Sequence, residues 1–269
     1  MAAVPGILRQ WNPGIVPNLQ LWIDGSDKST FTFTNSSNIN TIRDKSGKNI
    51  TLIQNTLSNQ PILASNINGR QTVSFPTNVY ISTTTTALTS QFNSNNTQSQ
   101  FGVYKLLDLT TSHIISYMGN INGNAFQQIE YDIGPNKIGL RAKRLDDPND
   151  IFPINQPVSC NVLLLQAYYD TTDFTIKTNI DSNNKPSDST LQPGGYNINS
   201  YNNYYIGKSF NIGTLTQSFN GDIGEIIMFT SNYNFDIRYT SLLEGYLAWK
   251  WGLTDLLAGT HPYRNRNPT

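Results

Sequence analysis

Apolar and polar residues alternate in short runs along most of this chain, and turn-forming residues separate the runs. Such runs predict β-strands, and their spacing favours a sandwich of antiparallel strands over the strand–helix alternation of a parallel sheet. Strands are predicted at 19–23, 50–53, 72–75, 79–82, 101–107, 113–118, 126–133, 137–143, 160–169 and 174–180. The last two predict a hairpin through residues 170–173, and long loops are predicted at 83–100, 146–157 and 181–203.

The pattern changes near the C-terminus. Residues 219–229 predict a turn followed by a strand. From about 236 to 251 the apolar period becomes helical, with one face formed by Tyr239, Leu242, Leu243, Tyr246, Leu247 and Trp249. Asn234 or Asp236 can cap the start of this helix, and Gly252 can end it. The predicted fold class is therefore all-β, an antiparallel two-sheet jelly-roll sandwich with one C-terminal amphipathic helix at 236–251.

Several short motifs occur in a fixed order along the chain: LWIDGSD at 21–27, DKSG at 44–47, NGRQTVSF at 68–75, YYIGKSF at 204–210, FNGDIGEIIMF at 219–229, EGYLAWKWGL at 244–253 and HPYR at 261–264. Together they resemble the landmarks of a laminin-G-like, concanavalin A-like jelly-roll module of the lectin and glucanase type. The resemblance covers about residues 16–264. It implies the fold, and modules of this kind occur in secreted bacterial proteins and in proteins of large DNA viruses and phages.

This resemblance and the composition predict one domain at 18–269, preceded by an N-terminal arm at 1–17. Eighteen basic and eighteen acidic residues cancel, so no overall field favours nucleic acid. The single cysteine, Cys160, lies in an apolar run and is expected to be a core thiol. The start of the chain lacks the pattern of a signal peptide, and no apolar run is long enough for a transmembrane segment. Membrane insertion is therefore not expected.

Glu130 and Asp132 are the candidate catalytic residues. They alternate on a predicted strand, which places both carboxylates on one face about 7 Å apart, as in glycosidases. The glucanase pattern continues with a further Glu on that face, whereas Ile133-Gly134-Pro135 breaks the strand here. The alternative is that both residues face solvent. The two histidines, His113 and His261, lack a nucleophile motif and are expected to be structural, so no enzyme is predicted.

Binding candidates are weaker. Trp249 and Trp251 lie two residues apart on the predicted helix, so one of them can face outward and stack on a sugar or a partner. Asp146, Asp147 and Asp150 crowd one loop and are candidate calcium ligands, although the same run is ordinary turn chemistry. Asp24, Asp27 and Asp44 lie at the family landmarks, where calcium is again possible. For Asp24 and Asp44 the alternative is a tight turn in which the carboxylate accepts backbone N–H groups. Glu225, Glu244, Arg70 and Lys208 are expected to be structural or solvated.

Three functions follow from the sequence. The first is a non-catalytic surface or structural module, associated with a virion and acting in assembly or host attachment. The second is a calcium-dependent carbohydrate-binding lectin, and the third is a glycoside hydrolase. The first predicts particle or surface proteins as partners, including further copies of this chain, and a location on the virion surface or capsid. The second adds glycans as partners and an extracellular location as the alternative. Calcium is the only cofactor considered.

Overall fold

The computed structural model describes residues 11–83, 86–94, 97–120, 126–132, 137–143, 156–157, 162–170, 175–180, 201–211, 214–230 and 237–268. The strands are β1 Leu19–Asp24, β2 Phe31–Phe33, β3 Ile39–Arg43, β4 Thr51–Ile53, β5 Ile62–Ile67, β6 Arg70–Phe75, β7 Ile81–Thr83, β8 Thr97–Leu106, β9 His113–Gly119, β10 Phe126–Asp132, β11 Lys137–Lys143, β12 Gln156–Pro157, β13 Val162–Asp170, β14 Thr175–Ile180, β15 Asn203–Ile206, β16 Lys208–Asn211, β17 Thr214–Ser218 and β18 Gly221–Thr230. The α-helices are α1 Thr86–Ser94 and α2 Ile237–Trp251.

Two large sheets form the sandwich, and the strand pairs described in both are antiparallel. The seven-stranded sheet has the order β14-β13-β8-β18-β6-β5, with β1 paired to the second half of β18. The nine-stranded sheet has the order β12-β11-β10-β9-β15-β7-β4-β3-β2. The predicted fold class, a two-sheet antiparallel sandwich with a C-terminal helix, is confirmed.

The seven-stranded sheet is covered on both faces. Its inner face contributes Ile226 and Met228 to the core between the sheets. Its outer face contributes Ile227 and Phe229 to a second apolar cluster beneath α2. All ten residues of β18 are consequently buried. The register of β18 shifts between Ile223 and Glu225, and this irregularity places Ile223 in the core while Glu225 faces the helix.

The prediction that residues 83–100 form a loop is wrong. Within it the structure has the helix α1, and β8 begins at Thr97. Leu88 and Phe92, four residues apart, share one face of α1, and both are buried in the core between the sheets. Two apolar residues in a stretch rich in Thr, Ser and Asn give little periodicity. Tertiary burial therefore decides the helix more than local propensity does.

Helix α2 ends as predicted. Gly252 has a left-handed backbone (φ +67°), the Leu253 N–H donates to the Ala248 carbonyl at 2.7 Å, and the Gly252 N–H donates to the Trp249 carbonyl at 3.4 Å. This pairing is the Schellman arrangement, which satisfies carbonyl groups that the helix itself leaves free. The proposed N-terminal caps, Asn234 and Asp236, lie outside the described residues. Within the described ranges, neither helix combines the length and apolarity needed to cross a bilayer.

The turn interpretation of Asp24 and Asp44 is correct. Each carboxylate accepts the backbone N–H of the serine two positions later, at 3.1 Å for Ser26 and 2.8 Å for Ser46. The Asp44 carboxylate also accepts the Trp22 N–H at 2.7 Å, and the Trp22 carbonyl accepts the Lys45 N–H at 2.9 Å. The DKSG loop is therefore hydrogen-bonded along the side of β1 that faces away from β18.

Replacing Asp44 with alanine is expected to lower the free energy of unfolding by about 1–2 kcal/mol, because the part-buried Trp22 N–H loses its acceptor. Asp44→Asn keeps an acceptor oxygen and is expected to recover most of this loss. Thermal unfolding of both variants checks the prediction, which corresponds to a decrease in Tm of a few degrees for Asp44→Ala. An unchanged Tm in Asp44→Ala would contradict it.

Candidate functional site

A pocket of about 480 Å³ opens between helix α2, the outer face of the seven-stranded sheet and the segment just before β1. Its volume lies within the range of small-ligand sites. We call it the aromatic pocket, and its lining residues are Trp11, Asn12, Trp22, Lys45, Arg70, Tyr246, Trp249, Lys250 and Asn267. A second cavity, between the two sheets, holds only about 20 Å³, which is room for a single water molecule and not for a sugar.

Three of the four aromatic rings in the pocket are held by packing. Trp11 and Tyr246 pack with ring centroids 5.6 Å apart and planes tilted by 60°, and both are largely buried. Trp22 is also buried, in the same apolar cluster. Trp249 is the exception, since 36% of its surface is exposed, yet its Nε1–H donates to the Tyr263 carbonyl at 2.7 Å. That hydrogen bond to the C-terminal tail fixes an exposed indole in place.

The two lysines of the pocket are already engaged. Lys45 Nζ lies 2.8 Å from a carboxylate oxygen of Asp24 and 2.8 Å from one of Asp27, and it sits 4.6 Å from the centroid of the Trp22 ring. Lys250 Nζ lies 2.7 Å from Asp24 and donates to the Tyr246 hydroxyl at 3.2 Å. Both side chains therefore contribute mainly their apolar stems to the lining of the pocket, because carboxylates beneath the pocket compensate their charges.

Glu225 lies directly below these residues and is fully buried. Its carboxylate accepts hydrogen bonds from Trp22 Nε1 at 2.6 Å, Tyr246 Oη at 3.0 Å and Trp251 Nε1 at 2.9 Å, and it lies 2.8 Å from Lys250 Nζ. Burial raises the pKa of Glu225; the Lys250 ammonium opposes this rise. One carboxylate thus joins β1, β18 and α2 under the floor of the pocket.

Asp24 has the opposite titration behaviour. Burial alone would raise the pKa of its carboxyl, but the Lys250 ammonium and hydrogen bonds from Lys250, Lys45 and Ser26 outweigh burial and lower it to about 2. The Asp27 carboxyl, which shares Lys45, also has a lowered pKa, chiefly through its hydrogen bond from Lys45. The acids behind the pocket are therefore held by specific cations.

The remaining polar groups of the pocket are open to a ligand. Arg70 is exposed, and none of the described residues pairs with its guanidinium. The Asn12 side-chain oxygen Oδ1 accepts the Gly14 N–H at 2.9 Å, which leaves the side-chain N–H₂ without a described acceptor. Asn267 is exposed at the rim. The pocket therefore combines aromatic faces with hydrogen-bond donors.

The two candidate tryptophans have different environments. Trp251 is completely buried against the outer face of the seven-stranded sheet, and its Nε1–H donates to Glu225. Trp249 points outward into the aromatic pocket. The sequence expectation for Arg70, solvation, is met only in part, because the residue is exposed but lines the pocket. Lys208, in the two-stranded sheet of β16 and β17, lies over the Tyr80 ring at 5.5 Å.

Glu130 and Asp132 share the face of β10 opposite the core residues Ile129 and Tyr131, as the alternation predicts. The expectation that both face solvent is wrong for Glu130, which is only 3% exposed and accepts a hydrogen bond from Gln128 Nε2 at 2.6 Å. Neither carboxylate lines the aromatic pocket or the cavity between the sheets. Their catalytic role stays an untested hypothesis.

Both histidines lie in structural contacts. His113 is buried, and its two ring nitrogens lie 3.2 Å from the Ser218 carbonyl and 2.6 Å from the Asp108 carbonyl. His261 Nδ1 accepts the Tyr263 N–H at 3.2 Å, so Nε2 carries the hydrogen that it donates to Glu244 at 3.1 Å. This pair holds the HPYR tail on α2.

The calcium candidates Asp146, Asp147 and Asp150 lie outside the described residues, as does Cys160. Among the residues that the structure does describe, no group of three or more Asp, Glu, His or Cys side chains is arranged to hold a metal. Asp24 and Asp27 instead bind Lys45, and the Asp44 carboxylate binds backbone N–H groups.

The sequence does not predict the aromatic pocket. Its lining comes from residues 11–12, the start of β6, helix α2 and the C-terminal tail, which are up to about 250 positions apart. The only local signals are the tryptophan at position 249, on the edge of the apolar face of α2, and Arg70 directly after an Asn-Gly turn. Neither signal indicates which distant residues complete the site.

No model of a known protein family matches this chain, and no curated protein matches it. Solved structures do. The chain is similar to an arabinofuranosidase complexed with arabinofuranosyl-α-1,2-xylobiose (13% identity, TM-score 0.56, 84% of this chain and 58% of that one). It is also similar to a leech intramolecular trans-sialidase, with 14% identity, a TM-score of 0.50, and coverage of 62% of this chain and 26% of that one. A third similar structure is the CBM40 module of a Ruminococcus gnavus IT-sialidase bound to α2,3-sialyllactose, with 12% identity, a TM-score of 0.48, and coverage of 62% of this chain and 92% of that one.

The chain thus spans about a quarter of the trans-sialidase and somewhat more than half of the arabinofuranosidase. At these identities the similarity concerns the fold alone. It agrees with the concanavalin A-like sandwich that the order of the sequence motifs implies.

Proposed function

We propose that this protein is a non-catalytic, carbohydrate-binding module of the laminin-G-like, concanavalin A-like type. The observation that carries the proposal is the aromatic pocket, in which an anchored, exposed Trp249 stands beside free donors from Arg70, Asn12 and Asn267. Aromatic faces bury the C–H faces of sugar rings, and amide or guanidinium groups hydrogen-bond sugar oxygens. Such a role fits a surface or extracellular location.

The charges of the site support binding without hydrolysis. The acids closest to the pocket, Asp24, Asp27 and Glu225, are held by Lys45 or Lys250 and do not line it. Retaining and inverting glycosidases need two carboxyl groups that flank the scissile bond. The similar arabinofuranosidase is in complex with a saccharide, which is compatible with either role for the fold.

The expected virion-associated role stays a prediction, because neither the described residues nor the comparisons bear on it. Attachment of a particle to a host through glycans is compatible with the pocket. Calcium dependence also stays a prediction, since the candidate ligands Asp146, Asp147 and Asp150 lie outside the described residues.

Trp249→Ala is expected to weaken glycan binding about tenfold or more, because an exposed ring at the centre of a small site carries a large share of the binding energy. Trp249→Phe keeps a ring and is expected to retain most of the affinity. Binding to a broad glycan array, with calcium and with a chelator, identifies ligands, and calorimetry of a selected glycan then compares the variants.

Tyr80→Ala is the matched control, since it removes a ring from the nine-stranded sheet, away from the pocket. Circular dichroism verifies that each variant is folded. A blank array under both conditions would overturn the proposed function. Binding that Tyr80→Ala abolishes and Trp249→Ala leaves intact would move the glycan to the other sheet and refute the pocket.

A further inference from the structure

The free hydrogen-bonding groups that line the aromatic pocket are mainly donors. Lys250 has all three of its N–H groups directed at Asp24, Glu225 and Tyr246, and two of the three on Lys45 are directed at carboxylates. Among the described residues, these contacts leave one N–H of Lys45, the side-chain amide N–H₂ groups of Asn12 and Asn267, and the Arg70 guanidinium, which carries five N–H donors. None of the described residues that line the pocket is an acid.

Of the three cations that line the pocket, Arg70 is the one whose charge no described acid offsets. The charges of Lys45 and Lys250 are offset by Asp24, Asp27 and Glu225 at 2.7–2.8 Å. No described residue forms an ion pair with Arg70. A guanidinium favours oxyanions such as carboxylate or sulfate, which it can bind through two parallel hydrogen bonds.

The backbone at Arg70 is fixed. Residues Asn68 and Gly69 form a two-residue turn with left-handed backbones at both positions (φ 48° and 71°), which joins β5 to β6 and pairs Ile67 with Arg70. The Asn68 side-chain amide donates to the Trp251 and Gly252 carbonyls at 2.8 and 3.0 Å. The turn that carries Arg70 is thus attached to the end of α2, the helix that carries Trp249.

We propose that the saccharide bound in the aromatic pocket is acidic, and that its carboxylate or sulfate group pairs with Arg70 while a sugar ring stacks on Trp249. This inference rests on the proposed glycan-binding function and adds the chemical class of the ligand. A neutral sugar is expected to bind more weakly than an acidic one, because a hydroxyl group forms a weaker hydrogen bond with the guanidinium than an anion does.

The test uses matched pairs of glycans that differ only in charge. Trigalacturonate is compared with its neutral methyl ester, and sulfated oligosaccharides are compared with their desulfated forms. The wild-type chain is expected to bind the acidic member of at least one pair about tenfold more tightly, and the pair that shows this preference distinguishes carboxylate from sulfate. The preference is also expected to fall as the salt concentration rises.

Arg70→Gln is expected to reduce the ratio of acidic to neutral affinity to about one. Arg43→Gln, which removes an exposed arginine from β3 of the other sheet, is the matched control and is expected to keep the ratio. Equal binding of acidic and neutral glycans by the wild type would overturn this inference and leave the proposed function standing. A ratio that Arg70→Gln does not change would overturn it too, whereas no glycan binding at all would refute the proposed function itself.

Discussion

Glu225→Ala is expected to destabilise the protein by about 3–5 kcal/mol, the cost of removing one partner from a buried ion pair. The substitution leaves Lys250 beside the pocket without this partner, and it deprives the indole N–H groups of Trp22 and Trp251 of their acceptor. These donors come from β1 and from the C-terminal end of α2. The loss should therefore be much larger than that of a surface acid.

Urea unfolding followed by tryptophan fluorescence measures this effect. Glu225→Gln preserves the shape and one acceptor oxygen, so it is expected to lie between the wild type and Glu225→Ala. Asp255→Ala is the control, because this carboxylate is fully exposed and only 4.0 Å from Arg264, and its loss is expected to cost at most about 0.5 kcal/mol. A Glu225→Ala variant within 1 kcal/mol of the wild type would show that the network does not hold α2 on the sheet.

Acidification below about pH 4 is expected to remove about 2 kcal/mol of stability through Asp24 alone. The pKa of this carboxyl is about 2 in the folded protein against 3.8 in the unfolded chain, and one pKa unit corresponds to about 1.4 kcal/mol. A lowered pKa stabilises the fold above pH 3.8, and this contribution disappears as the pH falls towards 2. Glu225 has a raised pKa and acts in the opposite direction, so its protonation does not cause the acid loss.

The comparison of the wild type with Asp24→Asn between pH 7 and pH 2 isolates this contribution. The variant is expected to be less stable by about 2 kcal/mol at neutral pH, and the difference is expected to vanish near pH 2. Urea unfolding at each pH gives both free energies. A difference that stays constant over the whole range would mean that the Asp24 carboxyl stabilises the fold through its hydrogen bonds and not through its charge.

The sequence predicts most of the fold because local residue patterns determine most of the strands and the C-terminal helix. The 3.6-residue period of 236–251 and the glycine at 252 are sufficient to place α2 and its end. The alternation in β10 correctly places Glu130 and Asp132 on one face. The pattern fails at α1, where Leu88 and Phe92 are too few to indicate a helix, and at the register shift before Glu225, which moves that carboxylate to the helix side of the sheet.

The site is harder to predict, since its chemistry depends on which charges are already paired. Lys45, Lys250 and Arg70 are equivalent cations in the sequence. Only the folded chain shows that carboxylates engage the two lysines and that no described acid engages the arginine. The likeness of the motifs to concanavalin A-like modules gives the architecture and no information about this pairing.

The DKSG loop also affects how copies of this chain can meet. A strand at the margin of a sheet normally offers its backbone to a strand from another molecule. At Trp22 both backbone groups are bound by Asp44 and Lys45, and the Gln20 carbonyl accepts from the Ser46 hydroxyl at 3.3 Å. A second molecule can extend the sheet at β1 only after this loop is displaced, so the loop protects β1 against intermolecular strand addition and the aggregation that follows from it.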